Sequence, residues 1–155
     1  MKTKHISKLL LRGLLGGALA FTLSHFSAAD AVDEARGKLI GTWEGAVVDG
    51  DAARPGGVRH TIRELVISAD QISARDGDGR SLGTGTYVLG KNGALSTITA
   101  TAIDGPGRGQ QMAGIYRIEG DTLLWCSANN GNPRPTEFRT KTTGAYLLVL
   151  KRKNP

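Results

Sequence analysis

From Ile40 onward, apolar residues alternate with polar ones in short runs, and turn-forming residues separate the runs. The runs are rich in Val, Ile, Thr and aromatic residues, a pattern typical of β-strands that bury one face. Before them, residues 31–39 are predicted to form a short helix capped by Asp30 or Asp33. The pattern predicts eight strands, at residues 40–48, 60–68, 71–75, 82–89, 94–103, 110–118, 122–128 and 145–152.

Most of the predicted strands are joined by short connections that contain turn-forming residues, such as Asp49-Gly50 and Asn92-Gly93. Short connections favour neighbouring antiparallel strands over crossovers. Eight strands in this order close most economically into an up-and-down barrel, because closure removes both unpaired edges of the sheet. We therefore predict an all-β, antiparallel eight-stranded barrel, with an open sandwich as the alternative.

The segment 114–126, GIYRIEGDTLLWC, carries a strong hairpin signal, because two apolar runs flank a Glu-Gly-Asp turn. If Gly120 and Asp121 form a two-residue turn, four apolar side chains share one face, in the cross-strand pairs Tyr116–Trp125 and Ile118–Leu123. We expect that face to be the barrel interior and Cys126 to point the other way.

The first 29 residues have the three-part composition of a secretory signal peptide. Basic residues at positions 2, 4, 8 and 12 precede an apolar run at 14–23, and small residues follow at 27–31. Cleavage is expected after Ala29 or Ala31, which makes residues 30–155 the barrel domain. An uncleaved anchor is the alternative, but the run is shorter than the roughly 20 residues of a spanning helix. We expect a periplasmic or secreted protein without stable membrane insertion.

Removal of this segment changes the charge of the chain. It contains four of the 20 lysine and arginine residues and none of the 14 acidic ones, which leaves 16 against 14 and lowers the net charge from +6 to +2. Nucleic-acid binding requires a clustered basic face, and the one basic run is Lys151-Arg152-Lys153 at the chain end. We therefore expect no nucleic-acid partner.

The remaining chain has one cysteine, Cys126, and one histidine, His60. No internal disulfide can form, so Cys126 is either a buried strand residue or a thiol that pairs between chains. No nucleophile motif lies near His60, which leaves a Cys126–His60 pair as the catalytic alternative. Residues 76–81 resemble the start of a calcium loop, but Arg80 replaces a required oxygen ligand. We expect no catalysis, no metal and no cofactor.

A long connection that begins NNGNPRP at residue 129 joins the last two predicted strands. Its composition does not suit regular strand pairing. Loops at a barrel mouth often carry recognition residues, so Asn130, Arg134 and Glu137 are candidates for contact with a partner protein. An irregular connection without a binding role is the alternative.

Several segments resemble those of one protein family. Residues 39–43 (LIGTW) are similar to the Gly-x-Trp start of lipocalin-like barrels. The hairpin segment, residues 134–138 (RPTEF) and residues 148–152 (LVLKR) follow in an order that resembles an uncharacterised lipocalin-like family of exported bacterial proteins, abundant in planctomycete-type genomes. The likeness spans residues 38–152.

The resemblance implies a small eight-stranded barrel whose first-strand tryptophan packs across the closed end. In this chain that role would fall to Trp43, which follows Gly41 in the Gly-x-Trp motif. Lys151 or Arg152 of the last strand would lie over the indole ring. Such a cation–π contact contributes about 0.5–2 kcal/mol.

Two functions remain after these exclusions. The first is a carrier that binds a small apolar ligand in the barrel mouth, with the inward-facing candidates Tyr87, Ile98, Met112, Tyr116 and Trp125. Small alanine and serine residues on both sides of Ile98 would leave space for the ligand. The second is a ligand-free barrel that acts through its surface, as an inhibitor or partner of another envelope protein. The low aromatic content of 5% favours this second function slightly.

Overall fold

The computed structural model describes residues 27–51, 54–140 and 145–154. The predicted signal peptide lies outside the described residues, apart from its last three positions. Within the described ranges, one helix precedes eight strands. Their bounds are α1 Ala28–Leu39, β1 Gly41–Asp51, β2 Arg54–Ile67, β3 Gln71–Asp76, β4 Ser81–Asn92, β5 Leu95–Ala102, β6 Gln111–Glu119, β7 Thr122–Ala128 and β8 Ala145–Arg152.

The strands form one closed antiparallel barrel. Each strand pairs with the next along the chain, and β8 pairs with β1 to complete the ring. The predicted all-β up-and-down barrel with a short preceding helix is therefore confirmed, and the open-sandwich alternative is wrong. Across the described ranges, no helix has the length and apolarity needed to cross a membrane.

The β6–β7 hairpin has the predicted register. Gly120 and Asp121 form a two-residue turn, with Gly120 at φ 57°. The pairs Tyr116–Trp125 and Ile118–Leu123 face the apolar interior of the barrel. Cys126 points the other way, into a separate apolar cluster on the outer face of the wall. Both parts of the face assignment are confirmed.

α1 begins three residues earlier than the sequence predicts. Its N-cap is Ser27, whose hydroxyl accepts hydrogen bonds from the backbone N–H groups of Ala29 and Asp30. In return, the Asp30 carboxylate accepts a 3.0 Å hydrogen bond from the Ser27 N–H. This capping box stabilises the first turn, so the prediction that Asp30 or Asp33 caps the helix is wrong.

β1 and β2 are longer than predicted. The sequence indicates a turn at Asp49-Gly50, but β1 continues to Asp51 and β2 starts at Arg54. The register shifts twice between Val47 and Gly50. These β-bulges let the hairpin continue through turn-forming residues, because each bulge absorbs one extra residue and bends the strand.

The barrel has two different ends. The closed end contains α1 and the β2–β3, β4–β5 and β6–β7 turns, and at the open end the strands joined by the other four connections begin and end. Leu39, at the end of α1, is buried in the barrel core, and Val32 packs against that core. The helix therefore covers the closed end only.

Trp43 and Arg152 seal the closed end. The Trp43 side chain is fully buried, and its Nε1 donates a 2.9 Å hydrogen bond to Leu39 O. The Cζ atom of Arg152 lies 4.1 Å from the centroid of the Trp43 ring. The Arg152 guanidinium also donates to Ile40 O at 3.0 Å and to Lys38 O at 2.6 Å. Arg152 thus joins the last strand to the end of α1.

The predicted closure also includes Gly41 and Lys151, of which only Gly41 lies next to the Arg152 guanidinium. Gly41 leaves room for Arg152, because a Cβ atom on Gly41 would lie 2.5 Å from Arg152 Nη1. Its φ of 144° is also rarely adopted by residues with a side chain. Lys151 lies on the outer face, where its Nζ donates to Thr122 Oγ1 at 2.6 Å.

Replacement of Arg152 by alanine is expected to lower the free energy of unfolding by about 2 kcal/mol. The variant loses the contact with the Trp43 ring and two charge-assisted hydrogen bonds to backbone carbonyls. Urea denaturation followed by tryptophan fluorescence measures the change. Lys151→Ala is the matched control and should alter stability by less than about 0.5 kcal/mol. Equal losses in the two variants would contradict the assigned role of Arg152.

Candidate functional site

A cavity of about 230 Å³ occupies the barrel interior toward the open end. The exposed residues Leu82 and Asp104 take part in its lining, so the cavity reaches the rim of the barrel. Most of its wall is apolar. Side chains of β1, β2, β6, β7 and β8 form one part of the wall, namely Val47, Ile62, Leu65, Met112, Trp125, Tyr146 and Leu148.

Small residues at inward positions create this space. In a strand, every second residue points to the same face, and cross-strand partners share that face. Toward the open end, the inward positions of β3, β4 and β5 are occupied by Ala74, Gly83, Gly85, Ala100 and Ala102. Toward the closed end, the inward positions of β4, β5 and β6 carry larger side chains, namely Tyr87, Leu89, Ile98 and Tyr116.

Two glycines of β4 are fixed by a close approach of the backbone. A Cβ atom on Gly83 would lie 2.9 Å from Asp104 O, and one on Gly85 would lie 2.7 Å from Thr101 O. Gly83 also has a φ of +114°, which residues with a side chain rarely adopt. Neither position can carry a side chain without a shift of the backbone. β4 therefore places no inward side chain in this part of the interior.

Two of the five predicted ligand-contacting residues, Met112 and Trp125, line the cavity. The other three, Tyr87, Ile98 and Tyr116, lie in the filled half of the core. The Tyr87 hydroxyl donates a 2.7 Å hydrogen bond to a backbone carbonyl of the β2–β3 turn. Burial raises the pKa of both the Tyr87 and the Tyr116 phenols, so both remain protonated at neutral pH. The structure does not bring these three residues to the cavity.

Most cavity residues were missed at the sequence level. On β5, the small residues around Ile98 correctly indicated space on one side of that residue, because Ala100 lines the cavity. Ser96, on the other side of Ile98, instead lies near α1 at the closed end. Tyr146 and Leu148 could have been found from the alternation of β8, which places them on the inward face together with Leu150.

The connection after β7, hereafter the β7–β8 loop, lies along the outer wall of the barrel. Asn130 Oδ1 accepts a 3.3 Å hydrogen bond from the Gln111 N–H. Phe138 packs on the outer apolar cluster and lies 5.0 Å from the Arg117 guanidinium carbon. Thr140 N donates a 2.8 Å hydrogen bond to a carbonyl of β1. In its described part, residues 129–140, the loop therefore lies against the wall, and the expectation that it carries recognition residues stays a prediction.

Arg134 holds the β7–β8 loop on the wall. Its guanidinium donates to Ile98 O at 3.0 Å, to Thr99 Oγ1 at 2.8 Å and to Gly114 O. These acceptors belong to β5 and β6, so one side chain joins the loop to two adjacent strands. Glu137, the third predicted contact residue, is exposed and forms a 2.7 Å ion pair with Arg139.

Replacement of Arg134 by alanine is expected to loosen the β7–β8 loop. The variant loses three hydrogen bonds of a charged group, so amide hydrogen exchange across residues 129–140 should accelerate about tenfold, equivalent to about 1.4 kcal/mol of local stability. Arg139→Ala is the control, because that guanidinium forms an exposed ion pair of small energetic value. Unchanged exchange rates in the Arg134 variant would show that the loop is held by other contacts.

Cys126 and His60, the two residues considered for catalysis, lie in different surroundings. Cys126 is fully buried, and its Sγ donates to Arg139 O at 3.6 Å. Burial raises the pKa of this thiol, which lowers its thiolate fraction and its reactivity at neutral pH. His60 is exposed on β2. Among the described residues, no group of three or more His, Cys, Asp or Glu side chains could hold a metal ion.

Comparisons of the chain with protein-family models, with curated proteins and with solved structures gave no match. The arrangement of side chains around the cavity is therefore the basis for assigning a function.

Proposed function

We propose that this protein is an exported lipocalin-like carrier that binds a small apolar molecule in the open-end cavity. The cavity itself carries the proposal. Protein interiors contain few voids larger than a water molecule, whereas this barrel has about 230 Å³ of space within a largely apolar wall. A concave, mostly apolar space with a few polar groups is the usual form of a small-molecule site.

The volume of the cavity limits the size of the ligand. An apolar cavity of about 150 Å³ binds benzene. By proportion, a cavity of about 230 Å³ accommodates roughly nine non-hydrogen atoms. A single ring with a short substituent has this size, whereas a long fatty acid or a retinoid would extend beyond the rim of the cavity.

Export is part of the proposal and is supported by the composition of the N-terminal segment. Both predicted cleavage positions, after Ala29 and after Ala31, lie in the first turn of α1. Cleavage at either position removes the Ser27 cap. Val32 and Leu39, which pack on the barrel core, remain in the mature chain, so the helix keeps its contacts with the closed end.

The surface-binding alternative has less support. Asn130 and Arg134, two of the three candidate contact residues, make hydrogen bonds to the barrel wall. A partner that used them would have to break those bonds, at a cost of about 0.5–3 kcal/mol for each. A surface function would therefore require a different part of the barrel.

Replacement of Ala100 by leucine tests the carrier function. With the ring compound α-methylstyrene at about ten times its dissociation constant, the unfolding midpoint of the wild-type protein should rise by about 3–6 °C. In Ala100→Leu, the larger side chain occupies part of the cavity, so this rise should disappear. Differential scanning fluorimetry measures both midpoints with and without the compound.

Thr86→Leu is the matched control, because Thr86 is exposed on the outer face of β4. This variant adds a leucine at nearly the same level of the barrel and should keep the full rise. A wild-type midpoint that does not respond, or a full response in Ala100→Leu, would overturn the proposal. Native mass spectrometry of the protein purified from its own cells should then identify the bound molecule.

A further inference from the structure

Polar atoms of β6, β7 and β8 lie close together at one side of the cavity. Ser127 and Tyr146 are cross-strand neighbours, and Trp125 lies two residues before Ser127 on the same inward face. The Tyr146 hydroxyl donates a 3.0 Å hydrogen bond to Met112 Sδ. Met112, Trp125 and Tyr146 all line the cavity.

Two of these polar groups are unsatisfied. Within the described residues, Trp125 Nε1 and Ser127 Oγ are buried and form no hydrogen bond, although the Ser127 hydroxyl lies within reach of the Tyr146 phenol. Ser127 is 0% exposed and Trp125 is 5% exposed. A Cβ atom on Gly114 would lie 2.6 Å from Nε1 and 3.1 Å from Oγ, so both atoms lie next to the backbone of β6. Buried polar atoms are normally paired. Of these two residues, Trp125 lines the cavity and Ser127 is not among the lining residues.

The Tyr146 hydroxyl has a poor acceptor. A thioether sulfur accepts hydrogen bonds weakly in comparison with a carbonyl or ether oxygen. Burial raises the pKa of the Tyr146 phenol, so the hydroxyl keeps its proton at neutral pH. The indole N–H of Trp125 can only donate. The wall therefore offers hydrogen-bond donors and would be complemented by an acceptor.

The charge around the cavity argues against an anionic ligand. Asp104 lines the cavity at the rim and brings a negative charge. Among the described residues that line the cavity, none is a lysine or an arginine. A carboxylate in this space would lose its hydration without gaining a cation, which is strongly unfavourable.

We infer that the ligand is a neutral, largely apolar molecule with one carbonyl or ether oxygen, and that this oxygen accepts the hydrogen bond of the Tyr146 hydroxyl in place of Met112 Sδ. This inference rests on the carrier function proposed above and names the chemical class of its ligand. The rest of the molecule contacts the apolar wall.

Three ring compounds of about the same size test the inference, each with about nine non-hydrogen atoms. Acetophenone has a carbonyl oxygen, α-methylstyrene has a methylene group in its place, and benzoate has a carboxylate. Titration calorimetry with wild type and Tyr146→Phe gives the dissociation constants. Tyr146→Phe should weaken acetophenone binding about three- to tenfold and change α-methylstyrene binding less than twofold. Benzoate should bind wild type at least tenfold more weakly than acetophenone.

Tyr87→Phe is the matched control, because it removes an inward tyrosine hydroxyl that does not line the cavity. It should leave all three dissociation constants unchanged. Met112→Leu, which removes the competing sulfur, should tighten acetophenone binding.

The possible failures are distinguishable. If wild type binds neither acetophenone nor α-methylstyrene, the carrier function itself is overturned. If both bind but Tyr146→Phe affects them equally, or benzoate binds as tightly as acetophenone, the carrier function stands and the inferred ligand class is overturned.

Discussion

The ladder between β1 and β8 is the constraint on which the rest of the structure depends. Once it closes the barrel, every second residue of each strand points into one enclosed space. Arg152 contributes to this closure in two ways. Its backbone pairs with Trp43 in the ladder, and its guanidinium covers the Trp43 ring and binds the carbonyls at the end of α1. The packing of the closed end therefore depends on Arg152, the last residue of β8.

The enclosed space is filled unevenly. Tyr87, Ile98 and Tyr116 occupy the interior toward the closed end, whereas Ala100, Ala102 and two glycines leave a cavity toward the open end. A cavity lowers stability in comparison with a filled core. A cavity next to a densely packed half fits the proposed carrier function. In that proposal, the closed end stabilises the barrel and the open end binds the ligand.

The strands and the central hairpin could be predicted because their signals are local. Period-two alternation gives the face of each residue, and the Gly120-Asp121 turn sets the register of its own two strands. The extent and the lining of the cavity could not be predicted, because they depend on how small residues from β3, β4 and β5 align across the barrel. Arg134 is a similar case: it stands in a polar loop, but its acceptor Ile98 O is 36 residues away along the chain. Nothing in its neighbouring sequence indicates that contact.

The most direct test of the central claim, that the small residues leave a ligand-accessible apolar cavity, is a crystal structure of the barrel under xenon pressure. Xenon enters dry apolar cavities of this size range. We predict a xenon atom inside the barrel, between Ala100, Trp125 and Leu148. An interior filled by rearranged side chains, with no xenon bound in the barrel, would contradict the account.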